Sequence, residues 1–315
     1  MLSLLLIICS GCRYTERAEN TARILDVNYH LLLPQSSHEA QGGWEGLLRI
    51  SELMPAYINK YGAEITPRNV IDFMSEDELN PSSIVACLRA ARENARAVRE
   101  PSPPSSGKRR IRPGWSFLAC EGGSFRRDPS QFFEWVKFRS HLSRGVAIGT
   151  MLRDEAFHFY RMGTFLERAD NTARLLDVKY HAAYQDHTSD AAAMEEDFDF
   201  YQWSAILRSV SGFEVYRKVY RDVITPAKVA ELLVLRADMP RSMAACVNEL
   251  VDRLNVVAND HSGETQRRAG KLKSELQFAR IDEILAAGLH AFLTQFLDRI
   301  NELGARISSD FLMPS

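Results

Sequence analysis

Apolar residues recur at spacings of three and four along the stretch 164–181, where Leu166, Ala169, Ala173, Leu176 and Tyr180 share one arc at about 100° per residue. That periodicity predicts an amphipathic helix. On the remaining side Glu167, Asp170, Asn171, Arg174, Asp177 and His181 fall within roughly 120° of the same helix. The pattern is written twice. TFLERADNTARLLDVKYH at 164–181 is nearly RYTERAENTARILDVNYH at 13–30, so Glu16, Glu19, Asn20, Arg23, Asp26 and His30 form a matching polar arc. No period-two alternation extends beyond a few residues, so the predicted class is all-α.

The duplication continues downstream. Glu16 and Glu167 differ by 151 positions, and after a small insertion Trp44 and Trp203 differ by 159. At that second offset Tyr61 meets Tyr220, Thr66-Pro67 meets Thr225-Pro226, Pro81 meets Pro240 and Cys87 meets Cys246. Threonine as N-cap followed by proline at the first helical position predicts a helix start at 66–67 and at 225–226. Asn80-Pro81-Ser82-Ser83 and Met239-Pro240-Arg241-Ser242 predict a break before a further helix in each copy. Helical spacing also runs through 82–99, 242–258 and 277–307. The chain reads as two multi-helix pseudo-repeats, 1–150 and 151–315, packed into one bundle-like body.

A net charge of −2 with 25% charged residues argues against a nucleic-acid surface. The basic clusters Lys108, Arg109, Arg110, Arg112 and Arg126-Arg127 read as solvated loop. Five cysteines are too few for a disulfide framework, which points to a reducing, cytoplasmic setting. No apolar run approaches the ~20 residues that cross a bilayer. The start MLSLLLIICSGC resembles a lipoprotein signal, yet no Lys or Arg precedes its short apolar run, so export is not expected.

Identical residue types at identical places on both polar arcs need a cause beyond solubility. The leading expectation is a buried network in which the two helices face each other across a pseudo-two-fold axis, since buried charges must be paired. A second is that the paired arginines grip a carboxylate or phosphate. A metal is not expected on these arcs, because neither doubled stretch carries the Glu-x-x-His pattern of bundle metal sites, and no cofactor is implied. Cys9-x-x-Cys12 lacks a second pair, and Cys87 and Cys246 read as small core residues. His141 and His158, near Arg144, Arg153, Asp154 and Glu155, are weak catalytic candidates. No phosphate-cradling glycine loop and no nucleophile elbow is present, so nothing in the residues compels an enzyme.

With these residues in view the chain resembles the bacterial alpha-E family, all-helical proteins named for a Glu-Arg motif that here stands at Glu16-Arg17 and Glu167-Arg168. Further matches are NPSSIVACLRAARENARAVRE at 80–100, GTMLRDEAFHFYRMG at 149–163, YQWSAILRS at 201–209, ITPAKVAELLVL at 224–235 and ARIDEILAAGLHAFL at 279–293. The resemblance covers nearly the whole chain. It implies a non-catalytic partner or scaffold for an ATP-grasp-type ligase and a transglutaminase-like protease, in a peptide-forming or peptide-modifying system. The alternative is an enzyme or ligand-binding protein using the Glu, Arg, Asp and His residues of the two repeat helices.

Two stretches depart from the family pattern: residues 4–12, and 101–120, where Pro and Ser replace an expected helix. Codons permitted for Leu5–Cys12 and for Pro101–Phe117 can be re-read one frame over as amphipathic, family-like segments. A frame-shifted reading would deprive Cys9, Cys12 and Cys120 of functional meaning, and predicts a poorly packed loop over 101–120.

Overall fold

The computed structural model describes residues 2–32, 37–97, 128–185 and 192–312, with side chains at 8–30, 43–49, 51–97, 128–177 and 200–311. The segment 101–120, the basic clusters at 108–112 and 126–127, and Cys120 lie outside the described residues, as do the side chains of residues 4–7, Tyr180 and His181. Among the described residues there are helices and no strand. The first half holds α1 (Leu2–Leu32), α2 (Ser37–Ile50), α3 (Met54–Tyr61), α4 (Pro67–Ser75), α5 (Ile84–Ala97) and α6 (Pro129–Thr150). The second holds α7 (Glu155–Gln185), α8 (Ala192–Ser209), α9 (Phe213–Tyr220), α10 (Pro226–Val234), α11 (Met243–Val256), α12 (Gly263–Phe278), α13 (Ile281–Ala287) and α14 (Leu289–Leu312).

The two doubled stretches sit on α1 and α7, both 31 residues long, which pack along each other at the centre. Helices α5 and α6 flank α1, while α11 and α14 flank α7. Leu166, Ala169, Ala173 and Leu176 are buried as their spacing predicts. The polar arc departs from an ordinary amphipathic helix, because Glu16, Glu19, Glu167 and Arg168 are buried as well. A helix enclosed by neighbours on several sides has little solvent face left, so its polar residues must find partners inside.

Local devices recur at the 159-residue offset. Helices α3, α4 and α5 have the lengths of α9, α10 and α11. Thr66 Oγ1 accepts the backbone N–H of Asn69 at 3.3 Å, and Thr225 Oγ1 that of Lys228 at 3.4 Å, so both caps form where Thr-Pro predicts them. Tyr57 donates its hydroxyl to the carbonyl of Glu64, and Tyr216 to that of Val223. Glu52 and Ser211 both take the left-handed conformation, with φ of 56° and 54°, and both donate their N–H to the carbonyl three residues back. Trp44 and Trp203 are fully buried, and Cys87 and Cys246 are buried core residues, as expected.

At an offset of 160, α6 and α14 bury the same positions with different chemistry. Phe133, Val136, Ser140, Ser143 and Ala147 are answered by Leu293, Phe296, Ile300, Leu303 and Ile307. The face that α6 turns to α1 therefore carries hydroxyls where that of α14 towards α7 is wholly apolar.

The helical spacing over 277–307 is borne by three helices, the end of α12, α13 and α14. The chain stops at Ala279, restarts after an extended Arg280 and breaks again at Gly288. Gly288 has φ 102°, a conformation that glycine alone adopts without strain, while the apolar spacing reads straight through it. A second glycine matters at the α1–α7 crossing. A Cβ added at Gly163 would overlap the carbonyl oxygen of Cys9 and stand 3.1 Å from its Sγ, so the two backbones approach as closely as they do only because that position has no side chain.

Candidate functional site

Neighbouring residues on a helix diverge by about 100°, so Glu16 cannot pair with Arg17, nor Glu167 with Arg168. Each pair is instead made across the central crossing. Arg168 donates from Nε to Glu16 Oε1 at 2.8 Å and from Nη2 to Oε2 at 3.1 Å. Arg17 donates from Nε to Glu167 Oε1 at 2.5 Å and from Nη2 to Oε2 at 3.0 Å. The two Glu-Arg motifs thus exchange partners in reciprocal, bidentate ion pairs, the strongest geometry a guanidinium and a carboxylate can take.

Around Glu16 the network extends to residues that the periodicity of α1 and α7 does not reveal. Arg241, in the break before α11, donates to Glu16 Oε1 and Asn20 Oδ1, both at 2.9 Å, and to Glu19 Oε1 at 2.6 Å. Arg144 of α6 donates to Glu16 Oε2 at 2.9 Å and also bonds Glu19. Glu19 is completed by Arg23 Nε at 2.9 Å and the Ser140 hydroxyl at 2.6 Å. Four guanidiniums therefore surround the two carboxylates Glu16 and Glu19. The other side is balanced: Glu167, Asp170 and Glu52 meet Arg13, Arg17 and Arg174. Position 241 corresponds to Ser82 at the 159 offset and position 144 to Gly304 at 160, so the surplus comes from two substitutions outside the doubled stretch.

The remaining arc residues are spread along the seam. Asp26 accepts from Ser130 Oγ at 2.8 Å and Lys137 Nζ at 2.7 Å, tying α1 to α6. Asp177 meets His290 Nδ1 at 2.6 Å, tying α7 to α14 from the position that corresponds to Ser130. His30 is exposed and lies 3.0 Å from Ser130 Oγ. Arg174 pairs with Asp170 as its spacing predicts, through Nε to Oδ2 at 2.8 Å. The spacing of four also puts Glu167 within reach of Asn171, but the Glu167 oxygens accept from Arg13 and Arg17 instead, and Asn171 is half-buried. His141 lies between Arg23, at 2.9 Å from Nε2, and Arg144. His141 also stands 3.9 Å from Glu19 Oε1, at the edge of the network, whereas His158 is buried on α7 where Arg253, Asp154 and Arg153 are the charges that act on it.

Burial alone would raise the Glu16 carboxyl, but Arg168, Arg241 and Arg144 hold it down to about 2. Glu19 is lowered in the same way, against its burial, by Arg241, Arg144 and Arg23. Arg241 is itself lowered, by burial first and by the neighbouring Arg168 and Arg23, which marks an environment already rich in positive charge. Burial lowers His141 and His158, and pushes the thiols of Cys9 up to about 11 and of Cys87 and Cys246 up to about 12. At neutral pH these acids stay ionised and these thiols stay protonated, which suits ion pairing and packing rather than proton transfer or nucleophilic attack.

A carboxyl whose folded value lies below its ordinary 4.5 stabilises the fold fully above that value and loses the contribution as pH falls. The thermal midpoint is therefore expected to drop steeply between pH 5 and pH 2. Glu16→Gln should flatten that slope, measured by calorimetry across the range; an equal slope in both proteins would contradict the assignment.

Among the described residues no helix is long and apolar enough to cross a membrane, and no three His, Cys, Asp or Glu side chains are grouped so as to hold a metal ion. Neither the curated proteins nor the solved structures yield a match to this chain. Residues 12–312 match the Alpha-E family, described as a predicted alpha-helical domain with a conserved ER motif. Both copies of Glu-Arg fall inside that span, at the centre of the helical body, and the chain belongs to the Alpha-E family.

Proposed function

We propose that this Alpha-E chain is a non-catalytic scaffold that works in the cytoplasm beside an ATP-grasp-type ligase and a transglutaminase-like protease, as the family resemblance implies. The supporting observation is that the ionisable groups of the Glu-Arg helices are spent on one another. Glu16, Glu19, Glu167 and Arg168 are buried and paired, leaving no free acid or base among them to act on a substrate. The two-repeat organisation fits such a role, since each half supplies counter-charges to the other and the central seam stays closed. Around Glu16 and Glu19 the guanidiniums outnumber the carboxylates, which favours a ligand-binding reading for the arginine-rich side of the molecule.

The test mixes the purified full chain with a purified ligase and a purified protease of these classes and follows association by analytical ultracentrifugation. A stoichiometric complex with either, with no turnover by the chain alone, is the expected result. Absence of association with both, or turnover by the isolated chain that Glu16→Gln abolishes, would overturn the reading.

A further inference from the structure

Beside the arginine-rich side lies a cavity of about 740 Å³ between the C-terminal part of α1, α6, α8 and the start of α9. Its walls include the aromatic rings of Phe200, Tyr201 and Phe213, and its polar lining includes Ser204, Arg208 and Ser211. The residues at the corresponding places in the other half show what is missing. There Arg49 is held by Glu45, with Nε to Oε1 at 3.0 Å, and Arg174 is held by Glu52. At the 159 offset Glu45 becomes Ser204, Arg49 becomes Arg208 and Glu52 becomes Ser211, while Arg174 corresponds to Arg23 at 151. Glu52 and Ser211 share the same left-handed backbone, so the positional match is structural as well as sequential.

Replacing two carboxylates by two serines leaves both arginines short of charge. Arg23 donates from Nη1 to Ser211 Oγ at 2.7 Å, a neutral acceptor where Arg174 has an anionic one. Arg208 meets no carboxylate among the described residues, and its guanidinium lies 4.3 Å from the centroid of the Phe213 ring. Ser204 is 95% buried, lines the cavity, and its hydroxyl has no hydrogen-bond partner among the described residues. A buried hydroxyl without a partner is uncommon, and this one belongs to a residue in the cavity wall. Behind Ser211, the seam holds two more guanidiniums than carboxylates. Of the acids lining the cavity among the described residues, Asp26 is paired with Lys137 at 2.7 Å, and Glu214 is exposed.

We infer that this cavity binds a small organic anion, its carboxylate or phosphate group taking the place that Glu45 and Glu52 fill in the other half and its apolar or aromatic body resting on Phe200, Tyr201 and Phe213. Arg208 supplies a charged donor, Ser204 and Ser211 supply hydroxyl donors, and the guanidinium of Arg23 stands behind Ser211. The site is separate from the closed Glu-Arg seam and does not depend on the partner reading given above.

Calorimetric titration of the full chain with phthalate and with phenyl phosphate, at fixed ionic strength, tests the assignment. Binding of either probe at one site is expected, phthalate alone pointing to a carboxylate ligand and phenyl phosphate alone to a phosphate ester. Arg208→Gln, an exposed substitution that leaves the core intact, should weaken binding roughly tenfold or more, since a charge-assisted bond is lost. Ser204→Glu supplies the missing carboxylate from the protein itself and should abolish binding while raising the thermal midpoint. If neither probe binds at millimolar concentration, or if both variants bind as the parent does, the inference is overturned.

Discussion

Replacing Glu16 by Gln should cost about 3–5 kcal/mol of folding stability, the range seen when one member of a buried ion pair is removed and the other is left uncompensated. The size follows from the charge count. Arg144, Arg168 and Arg241 all converge on Glu16, so the substitution leaves four guanidiniums facing Glu19 alone. Arg168→Met should cost less than Glu16→Gln, because Glu16 keeps Arg241 and Arg144. Arg144→Met should be milder still, as it reduces a surplus. Urea unfolding of the three variants orders these effects, and a domain with a typical 5–15 kcal/mol in hand would show the first as a large fall in midpoint. A Glu16→Gln protein within about 0.5 kcal/mol of the parent would mean that the ion pairs do not carry the central packing.

The second large effect is expected from the smallest change. In an exposed helix interior, Gly→Ala stabilises by about 0.5–1 kcal/mol through helix propensity and a less flexible unfolded chain. Gly145 of α6 is such a position, with open space where a Cβ would stand. Gly163 is the opposite case, since a Cβ there overlaps the backbone carbonyl of Cys9, which cannot turn aside as a flexible side chain could. Gly163→Ala should therefore destabilise by about 1–3 kcal/mol, the usual cost of overpacking, and Gly163→Val by more. Thermal unfolding of Gly145→Ala and Gly163→Ala side by side should give shifts of opposite sign. Shifts of the same sign would show that α1 and α7 do not cross where Gly163 meets Cys9.

The residues themselves explain which parts of this architecture can be read from the chain. Helix starts at Thr66-Pro67 and Thr225-Pro226 depend on local chemistry, a hydroxyl acceptor and a pre-set φ, and both form as their dipeptides predict. The break at Gly288 does not show, because the apolar spacing of 281–307 is compatible with one continuous helix, and only the packing of α13 and α14 requires the positive φ. The seam is a mixed case. Periodicity places Glu16, Glu19, Asn20 and Arg23 on one face, but it cannot say that the face is turned inward. It also cannot find Arg144 and Arg241, which lie more than 120 and 220 residues from Glu16 and are brought there by helices that pack for other reasons. The exchange between the motifs was hidden for a simpler cause: Glu and Arg stand side by side in sequence, and adjacency on a helix is a separation in space.

That exchange has a bearing on how the molecule can be taken apart. A fragment ending before α7 would keep Glu16 and lose Arg168 and Arg241, and one beginning there would keep Glu167 and lose Arg17 and Arg13. The second piece would be left with a buried, unpaired Glu167 and the first with Arg13 and Arg17 unpaired, and the remedy for each lies in the opposite piece. Fragments made by cutting between α6 and α7 are thus complementary by charge as well as by shape, and co-expression offers each the counter-ion that it lacks.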